Sequence, residues 1–560
     1  MTFTNKNRFL LYFFIFILTL SQAQNREKLW QEPLDIPLLL SGNFAELRGT
    51  HFHAGLDLKT NGREGLEVKS IGSGFVSRIR VSTSGYGKVL YLNHPNGTVS
   101  VYAHLKKFAP KIEAYVKARQ YEKQSYTLQL LPKAEELKVE LGELIGYSGN
   151  TGGSSGPHLH FEMRDGRDQS PINPLSFPIK IEDHQRPQIQ AFYVYENHTP
   201  SKLPKSYALT QKNDSLFTTN LIKTAGQIHV GLGIFDRQDS SYNKNGVYRI
   251  QVWVNGIEIY NYQMDRFLFT DSKFIPLIVD YYSLRENRNK IHQLYWHPKT
   301  KLSFLKDRSK NGRFEVEPGK SYQLLIKTSD YSNNATWVET YIEGVEANKS
   351  EPETPKGKSI HPEQDYLFEF GEKSVYFQKN TFFDTVHLDI ESSGDSLMVD
   401  RDRFPLVAPL VLQFTYPSMD SLERAQSAIA LLRNNRRPSL LNTARKSSHL
   451  TAKSSVLGTF AVLRDSLAPT ILPINFRDGQ NLKNFRYLKI RLKDDFSGVK
   501  NYSAYINDEW VLFEHEPKTN TLTFDFNDLE DKPRRLDLKV VANDRVGNST
   551  TYRAVLFQNP

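Results

Sequence analysis

The 560-residue sequence contains no cysteine. Disulfide bonds are therefore excluded, and stability has to come from burial of apolar side chains, for which a chain of this length is ample. The glycine-rich stretch 142–156 lacks the Lys-Ser/Thr pair and the helix that follow a phosphate-binding loop, so that kind of site is excluded as well. No nucleic-acid-binding motif accompanies the net charge of +10, and the sequence predicts no nucleic-acid partner.

The first residues have the pattern of a secretory signal. Lys6 and Arg8 precede an apolar run from Phe9 to Leu20, and Ser21-Gln-Ala23 follows. We therefore predict a signal peptide over residues 1–23 and export to the periplasm, the cell envelope or the exterior. The apolar run is shorter than the about 20 residues of an ordinary membrane span, although an uncleaved anchor is the alternative. A lipoprotein anchor is excluded because no cysteine follows the run.

Export bears on how the positive charge is interpreted. An exported protein seldom meets nucleic acid, so the basic balance favours cell-wall polymers or anionic membrane surfaces as partners. A diffuse charge that only supports solubility is the alternative interpretation.

The densest group of candidate functional residues contains histidines. His158 and His160 lie two residues apart, and on a β-strand alternate residues point to the same face, so both imidazoles would enter one pocket. Such a pair alone is a weak signal, because it is often an exposed polar pair. Upstream, however, His53 and Asp57 lie four residues apart, and His104 lies between the two groups. Histidine and carboxylate are the usual ligands of catalytic zinc, which takes three protein ligands and leaves a fourth position for water.

These segments resemble, in order, the motifs of the lysostaphin-type zinc endopeptidases of bacterial cell walls, also called LytM-like peptidases. The family pattern is H-x-G-x-D, G-x-V, G-Y-G, Y-x-H-L and a glycine-rich stretch that ends in H-L-H-F-E. The resemblance covers residues 45–180. The matching elements are His53–Asp57, Gly74–Val76, Gly85–Gly87, Tyr102–Leu105, Gly146–Gly149 and Gly156–Glu162.

The resemblance implies a zinc ion held by His53, Asp57 and His160. It also implies that His104 and His158 jointly act on the attacking water and on the oxyanion. The implied reaction is hydrolysis of peptide bonds in peptidoglycan stem peptides or cross-bridges. Because no position of the pattern is missing, an enzyme is favoured over the alternative, a non-catalytic wall-binding scaffold or a regulator of a murein hydrolase.

Two other histidines need an alternative interpretation. His51 could share the face of His53, but the family pattern places the ligand at His53. His94 lies in Asn93-His-Pro-Asn-Gly97, where proline and Asn-Gly predict a hairpin turn rather than a metal contact.

The predicted fold is mostly β. We expect an antiparallel β-sheet peptidase domain over residues 25–182, with a helical insertion at about 108–141, followed by β-sandwich modules. The insertion is predicted because residues 112–129 and 133–141 are rich in Glu, Lys, Ala and Leu at helical spacing. Strands are predicted from alternating apolar and polar residues between turn formers at 65–70, 74–81, 88–92 and 99–102.

An internal repeat begins after residue 182. Asp183–Ile189 and Asp465–Ile471 share the pattern D-x-x-x-P-x-I, and D-x-x-N/G-N turns follow at Asp330–Asn334 and Asp544–Asn548. The repeats resemble bacterial Ig-like or fibronectin-like sandwiches, predicted at 183–347 and 465–560. Their carboxylates suggest calcium, but capping of turns by Asp and Asn is the favoured explanation.

The segment between the repeats has no recognisable chemistry. A polar, proline-containing linker is predicted at 348–363, and a β-rich domain of unknown role at 364–464 with one helical stretch, Ser418–Asn435. We expect the modules after residue 182 to place the enzyme on the wall or to bind other cell-envelope proteins. Four basic residues cluster near the end of the helical stretch: Arg433, Arg436, Arg437 and Lys446. We interpret them as a solvated face, and the alternative is a binding patch.

Overall fold

A computed structural model of the chain describes residues 30–196, 203–305, 307, 309–347, 356–416, 418–529 and 533–558. The predicted signal peptide and residues 348–355 of the predicted linker lie outside these ranges. Within them, no helix combines the length and apolar character needed to cross a bilayer. The mostly β fold is confirmed, because strands greatly exceed helices and nearly all neighbouring strands are antiparallel.

The N-terminal region, residues 30–182, is built on one large sheet. Its strands β1 to β12 are Leu40–Gly42, Leu56–Lys59, Glu67–Lys69, Gly74–Val81, Lys88–Asn93, Thr98–Leu105, Lys107–Phe108, Leu128–Leu130, Lys138–Val139, Leu144–Tyr147, His158–Asp165 and Pro171–Ile172. The large sheet has the order β1-β2-β11-β6-β5-β4-β8, with β12 beside β11 and β9 beside β4, while β3-β10-β7 form a second sheet. Strand β11 thus lies between β2 and β6, which places its two histidines beside Asp57 and His104.

The predicted helical insertion is correct only at its start. Helix α1 spans Pro110–Lys123 and begins with proline, which suits the first turn of a helix. The helix predicted at 133–141 is wrong: β8 and β9 both pair with β4. Leu137 and Val139 are buried, and the Val76 N–H donates to the carbonyl of Leu137. Here the backbone pairing and burial offered by β4 outweigh local helix propensity.

The next region, residues 183–347, contains two sheets. Strands β13 to β24 are Gln188–Glu196, Lys205–Tyr207, Thr210–Asn213, Leu216–Thr218, Ile222–Thr224, Gly226–Phe235, Arg249–Val254, Ile257–Gln263, His292–Gln293, Phe314–Val316, Ser321–Ser329 and Ala335–Gly344. One sheet has the order β14-β13-β18-β21 with β22 beside β18, and the other β15-β16-β24-β23-β19-β20 with β17 beside β24. Short helices α2, Ile275–Ile278, and α3, Tyr281–Asn287, follow the second sheet's β20.

Residues 356–464 form two further five-stranded sheets and a two-stranded sheet, β25-β28, around their own core. Strands β25 to β36 are Lys358–Ile360, Tyr366–Phe370, Lys373–Phe377, Val386–Leu388, Ile390–Ser393, Ser396–Val399, Leu410–Thr415, Ser427–Arg433, Arg436–Leu440, Thr443–Arg445, His449–Ser454 and Gly458–Arg464. The predicted helix over 418–435 is wrong beyond its first turns, since α4 spans only Ser421–Gln426 and β32 follows. Strand β32 is buried and pairs with β33 and β36, and a short buried apolar run does not distinguish strand from helix in a sequence.

The C-terminal region is a sandwich of two four-stranded sheets. Strands β37 to β44 are Thr470–Pro473, Tyr487–Lys493, Val499–Ile506, Glu509–Trp510, Phe513–Glu516, Thr521–Asp525, Arg535–Asp544 and Ser549–Phe557. Their orders are β37-β38-β42-β41 and β40-β39-β43-β44. Alternating residues of both sheets, such as Leu488, Ile490, Leu538 and Val540, fill the core between them.

The regions are not independent units along the chain. Phe44 and Phe52 of the N-terminal region pack against Phe267, at ring-centroid distances of 5.4 and 5.1 Å, and the two regions share one hydrophobic core. The C-terminal sandwich folds back onto the N-terminal region, where Trp510 meets Tyr121 of α1 edge to face. The N-terminal region therefore contacts both the region that follows it and the C-terminal sandwich.

Candidate metal centre and active site

The three predicted ligands meet at one point. Asp57 Oδ1 lies 3.0 Å from His53 Nε2 and 2.8 Å from His160 Nδ1, and the two imidazole nitrogens are 3.0 Å apart. All three side chains are buried. The structure therefore brings together residues from the loop before β2, from β2 itself and from β11.

Hydrogen bonds on the far side of each imidazole fix which nitrogen faces that point. His53 Nδ1 donates to the carbonyl of Asn43 at 2.7 Å, and His160 Nε2 donates to Glu162 Oε1 at 2.8 Å. The opposite nitrogens are then left with lone pairs directed at Asp57, an arrangement that orients histidine as a metal ligand. Tautomers are assigned here from these partners.

A buried network supports His160 from behind. Glu162 is held by Arg164, whose Nε donates at 2.6 Å, and by the hydroxyl of Tyr86, whose ring also stacks on His160. Burial raises the pKa of Glu162, but Arg164 and His160 outweigh it and lower the pKa to about 2. Glu162 is thus a carboxylate at neutral pH and can keep the proton of His160 on Nε2.

The electrostatics of the ligand group depend on the same contacts. Burial raises the pKa of Asp57, but its histidine neighbours outweigh this and hold the pKa well below its usual range. Burial lowers the pKa of His53 and would lower that of His160, but hydrogen bonds to Asp57 and Glu162 raise the latter to about 9. Without a metal ion, His160 therefore gains a second proton, on Nδ1, and forms an ion pair with the ionised Asp57; a bound metal ion would take the place of that proton.

The two predicted catalytic histidines border this point. His158 Nε2 is 3.4 Å from Asp57 Oδ1, and the rings of His104 and His158 are 4.9 Å apart. Each ring donates its Nδ1 proton to a backbone carbonyl, His104 to Thr151 at 2.8 Å and His158 to Gly156 at 2.9 Å. Both Nε2 atoms are consequently free to exchange protons with a substrate or water. Burial, together with His160 and His158, lowers the pKa of His104 to about 3, so His104 is neutral at pH 7.

Glycines in the 142–156 stretch allow the loops around His104 to approach one another. Gly152 has φ +73°, and a Cβ at this position would lie 2.3 Å from the backbone nitrogen of Gly87. The turn at Gly152 therefore packs against the chain's own backbone at Gly85 and Gly87. This packing presents the Thr151 carbonyl to His104, whose φ of 60° is uncommon for a residue with a side chain.

The alternative histidines lie away from the ligand group. His51 is exposed and its Nδ1 contacts Thr50. His94 is buried, with its two nitrogens bonded to the Ser73 carbonyl and to Ser100 Oγ. Both observations agree with the preference for His53.

Sequence reasoning missed Arg48. Its Nη2 donates to Asp57 Oδ2 at 2.5 Å, and it stands in no recognisable motif, so no sequence signal could have revealed it. Sequence reasoning also gave no role to Glu162, Arg164 or Tyr86, although Glu162 ends the H-L-H-F-E motif. An open cleft of about 710 Å³ lies over the site and is bordered by Glu46, Arg48, Asp57, His104, His158 and, from the following region, Asn243.

The donor set fits a divalent metal ion. Two imidazole nitrogens and one carboxylate oxygen converge, and the opposite nitrogen of each imidazole is already hydrogen-bonded. A catalytic metal centre needs three such donors and an open side for water or substrate. The cleft supplies the open side, because His104 and His158 face it. A structural site would instead be closed on all sides.

Comparison with known proteins points to the same part of the chain. Residues 51–122 and 123–174 match the model of Peptidase family M23. Over 127 residues the chain is 30% identical to the DD-carboxypeptidase/endopeptidase Mpg of Neisseria meningitidis, an alignment that covers 23% of each protein. Over 111 residues it is 33% identical to lysostaphin of Staphylococcus staphylolyticus, covering 20% of this chain and 18% of lysostaphin.

A similar match is found among solved structures. The catalytic domain of lysostaphin from Staphylococcus simulans aligns with 26% identity and a TM-score of 0.19, covering 24% of this chain and 87% of that one. The chain thus spans less than a quarter of the length of the curated relatives it matches. The family model, the curated relatives and the residues of the site agree that residues 51–174 form a metallopeptidase domain of the lysostaphin/LytM type, in peptidase family M23.

Proposed function

We propose that this protein is an exported, zinc-dependent endopeptidase that hydrolyses peptide bonds in the stem peptides or cross-bridges of peptidoglycan. The observation that carries the proposal is the convergence of His53, Asp57 and His160 beside two further histidines at the floor of an open cleft. The names of the curated relatives, an endopeptidase and lysostaphin, support a peptide bond as the target.

His53 Nε2, Asp57 Oδ1 and His160 Nδ1 would hold the zinc ion. Zinc bound there would supply a Lewis acid and lower the pKa of water, which makes a nucleophile available at neutral pH. Two nitrogen donors with one oxygen donor suit zinc better than calcium or magnesium, which prefer oxygen alone.

The chain's own residues would carry the proton transfers. His104 is neutral at pH 7 and its Nε2 faces the cleft, so this nitrogen can accept a proton from the attacking water. Once it carries that proton, Nε2 can donate a hydrogen bond. His158 Nε2, next to Asp57, can serve the leaving amine or the oxyanion. Because both rings are anchored through Nδ1, neither has to reorient during turnover.

The lining of the cleft agrees with a peptide substrate. It is open along one side and bordered by polar and charged groups rather than by an apolar pocket, which suits an extended, polar chain. Arg48 and Lys59 are cationic groups of its lining and can also attract a substrate carboxylate.

The β-sandwich modules are proposed to be Ig-like and to place the enzyme on the wall or beside envelope partners. Support comes from the strand orders β37-β38-β42-β41 and β40-β39-β43-β44, which correspond to A-B-E-D and C′-C-F-G of an immunoglobulin domain. Export itself is proposed on the signal pattern of residues 1–23.

The decisive experiment separates metal binding from turnover. His160→Ala protein should lose its zinc, whereas His104→Ala and His158→Ala proteins should keep it and lose roughly two to three orders of magnitude in rate. Metal analysis would be combined with mass spectrometry of purified sacculi of known cross-link chemistry after digestion.

His51→Ala is the matched control, because His51 is a histidine near the site whose ring lies outside the ligand group. It should keep both zinc and activity. Zinc-loaded wild-type protein that binds sacculi without releasing fragments would support the alternative, a wall-binding scaffold or a regulator of a murein hydrolase. Full zinc content in the His160→Ala protein would refute the ligand assignment.

A further inference from the structure

A second type of acidic site is repeated in the two modules that share the D-x-x-x-P-x-I pattern. In the first, one carboxylate oxygen each from Asp183, Asp236 and Asp330 lie within 4.8 Å of one another. In the second, the same holds for the three carboxylates of Asp465, Asp494 and Asp544. Neither group belongs to the peptidase site.

Corresponding elements supply the residues in both modules. The first aspartate of each group precedes the opening strand, β13 or β37, and the second directly follows the next long strand, β18 or β38. The third lies at the end of β23 or β43 and begins the D-x-x-N/G-N turn. Three carboxylates that are distant in sequence therefore meet at one end of the sandwich, twice in the same chain.

The turn asparagines share two hydrogen bonds in the two modules. Asn334 Nδ2 donates to Asp330 Oδ2 at 2.7 Å and to the Asp183 carbonyl at 3.0 Å. Asn548 Nδ2 donates to Asp544 Oδ2 at 2.7 Å and to the Asp465 carbonyl at 2.8 Å. Turn capping accounts for these bonds, and it also accounts for Asp494, which accepts from the N–H groups of Phe496 and Gly498. It does not account for the approach of Asp236.

The carboxylate of Asp236 is only partly compensated by hydrogen-bond donors. Asp236 is 4% exposed, and its Oδ1 is buried without a hydrogen-bond partner. The Oδ1 of Asn245, whose backbone pairs with that of Asp236, is likewise buried and unpartnered. Burial and the carboxylates of Asp330 and Asp183 raise the pKa of Asp236 to about 9. A buried acceptor without a donor costs free energy unless a cation or a proton satisfies it.

Two other buried carboxylates of the protein are paired with a cationic side chain. Glu162 is paired with Arg164, and Asp400 is paired with Arg403 at 2.7 Å. Among the ion pairs found in the described ranges, none involves any member of the two aspartate groups. In the second module, Ser497 donates its N–H to Asp465 Oδ2, while its own buried Oγ has no partner.

We propose that each of these two modules binds one divalent cation, and that the cation is calcium. Hard carboxylate, amide and hydroxyl oxygens are the ligands calcium prefers, and neither group offers a nitrogen or sulfur donor for zinc. In the first module the site opens into a cavity of about 130 Å³ lined also by Asn173 and Leu175 of the N-terminal region. Calcium there would stabilise the junction between the module and the peptidase domain.

The test is a calcium titration of the full-length, zinc-loaded protein after calcium has been removed with a calcium-selective chelator. Calorimetry should show one calcium per module, with affinity in the range of about 10⁻⁴ to 10⁻³ M that is usual for extracellular modules. Asp236→Asn should remove one site, Asp494→Asn the other, and the double variant both. The melting temperature should rise with calcium in the wild type and stay unchanged in the double variant.

Asp239→Asn is the matched control. It makes the same change in the same loop, but the Asp239 oxygens bond His184, so both calcium sites should persist. They should also persist in His160→Ala protein, which separates this proposal from the zinc assignment. If the aspartates act only as turn caps, neither wild-type nor variant proteins will bind calcium at concentrations about ten times the expected dissociation constant. That result would overturn the proposal. Equal binding by wild type and double variant would overturn it too.

Discussion

At the scale of single residues, the site depends not only on the three metal-ligating residues but also on the side chains that hold them in place. Arg48 bonds Oδ2 of Asp57 and leaves Oδ1 for His53 and His160. This contact fixes the rotation of the carboxylate. Groups that orient a ligand in this way typically contribute 10- to 100-fold to metal affinity.

We therefore expect Arg48→Met to lower zinc affinity by about 10- to 100-fold with little effect on folding. The side chain of Arg48 is 35% exposed, so its loss leaves no buried charge except that of Asp57, which the metal neutralises. Competition with a chromophoric chelator measures the affinity. Arg63→Met, an exposed change on the loop after β2, is the control and should bind zinc normally. Equal affinity in both variants would show that Arg48 does not orient Asp57.

Glu162 supports a prediction about acid stability in metal-free protein. Its pKa is lowered from 4.5 to about 2, so its ionised form stabilises the fold fully above pH 4.5. That contribution, on the order of 3 kcal/mol, should be lost as pH falls from 4.5 through 2. Glu162→Gln removes this pH dependence and leaves Arg164 buried without its partner, so the variant should be less stable at pH 7. Melting temperatures of both proteins between pH 2 and 7 test this, and parallel curves would contradict it.

Sequence motifs predicted the five side chains of the site but not their supports. His53, Asp57 and the His-x-His pair stand in spaced patterns that follow from strand geometry. Arg48 and the Asn43 carbonyl do not, because a loop conformation brings them to the site and the sequence does not encode that conformation in a recognisable pattern. The Tyr86–Glu162 contact joins residues far apart in sequence, on separate elements of the sheet region.

At the scale of elements, strand prediction succeeded where alternation was regular and failed where helix formers lie in buried strands. The predicted strands at 74–81 and 88–92 match β4 and β5 closely. The segment 133–141 is rich in Glu, Lys and Leu, and 427–433 is rich in Ala and Leu, yet backbone groups of both pair with neighbouring strands. Such pairing is long-range, so local propensity does not reveal it.

The contact between β5 and the C-terminal sandwich provides an element-scale prediction. Lys88 Nζ lies 2.9 Å from Glu514 Oε2, and the lysine side chain is 4% exposed while the glutamate is 40% exposed. Burial lowers the pKa of Lys88, but Glu514 and other acidic neighbours outweigh it and raise the pKa above its usual range. The ammonium group therefore depends on its partner more than the carboxylate does.

We expect Glu514→Gln to destabilise the protein by roughly 3 kcal/mol, because it leaves a buried ammonium unpaired. Lys88→Met should cost much less, since Glu514 can be solvated, and the double variant should be close to Lys88→Met alone. Denaturant unfolding of the three variants measures these free energies. Equal losses in both single variants would contradict the asymmetry of burial.

At the scale of the whole molecule, the peptidase domain is less separable than its sequence suggested. Residues 25–182 contain all five side chains predicted to bind metal or act in catalysis. In the next region, however, Asn243 lines the cleft and Phe267 packs in the common core. The sequence could not predict this packing, because neither partner stands in a motif. Asn243 and Phe267 both belong to the module that begins at Asp183, so this module completes the cleft and the core of the peptidase domain.

The last prediction concerns where the chain can be cut. A fragment of residues 25–182 exposes Phe44 and Phe52 and should aggregate or melt at lower temperature than a fragment of residues 25–347. The longer fragment should bind zinc and hydrolyse short cross-linked peptides about as fast as the full chain, because every group at the cleft is retained. On intact sacculi it should be slower, if the modules after residue 347 hold the enzyme on the wall. Both fragments and the full chain would be compared on both substrates with matched zinc content. A 25–182 fragment as stable as 25–347 would refute the shared core, and a folded, zinc-loaded 25–347 fragment inert on peptides would refute the proposed enzyme.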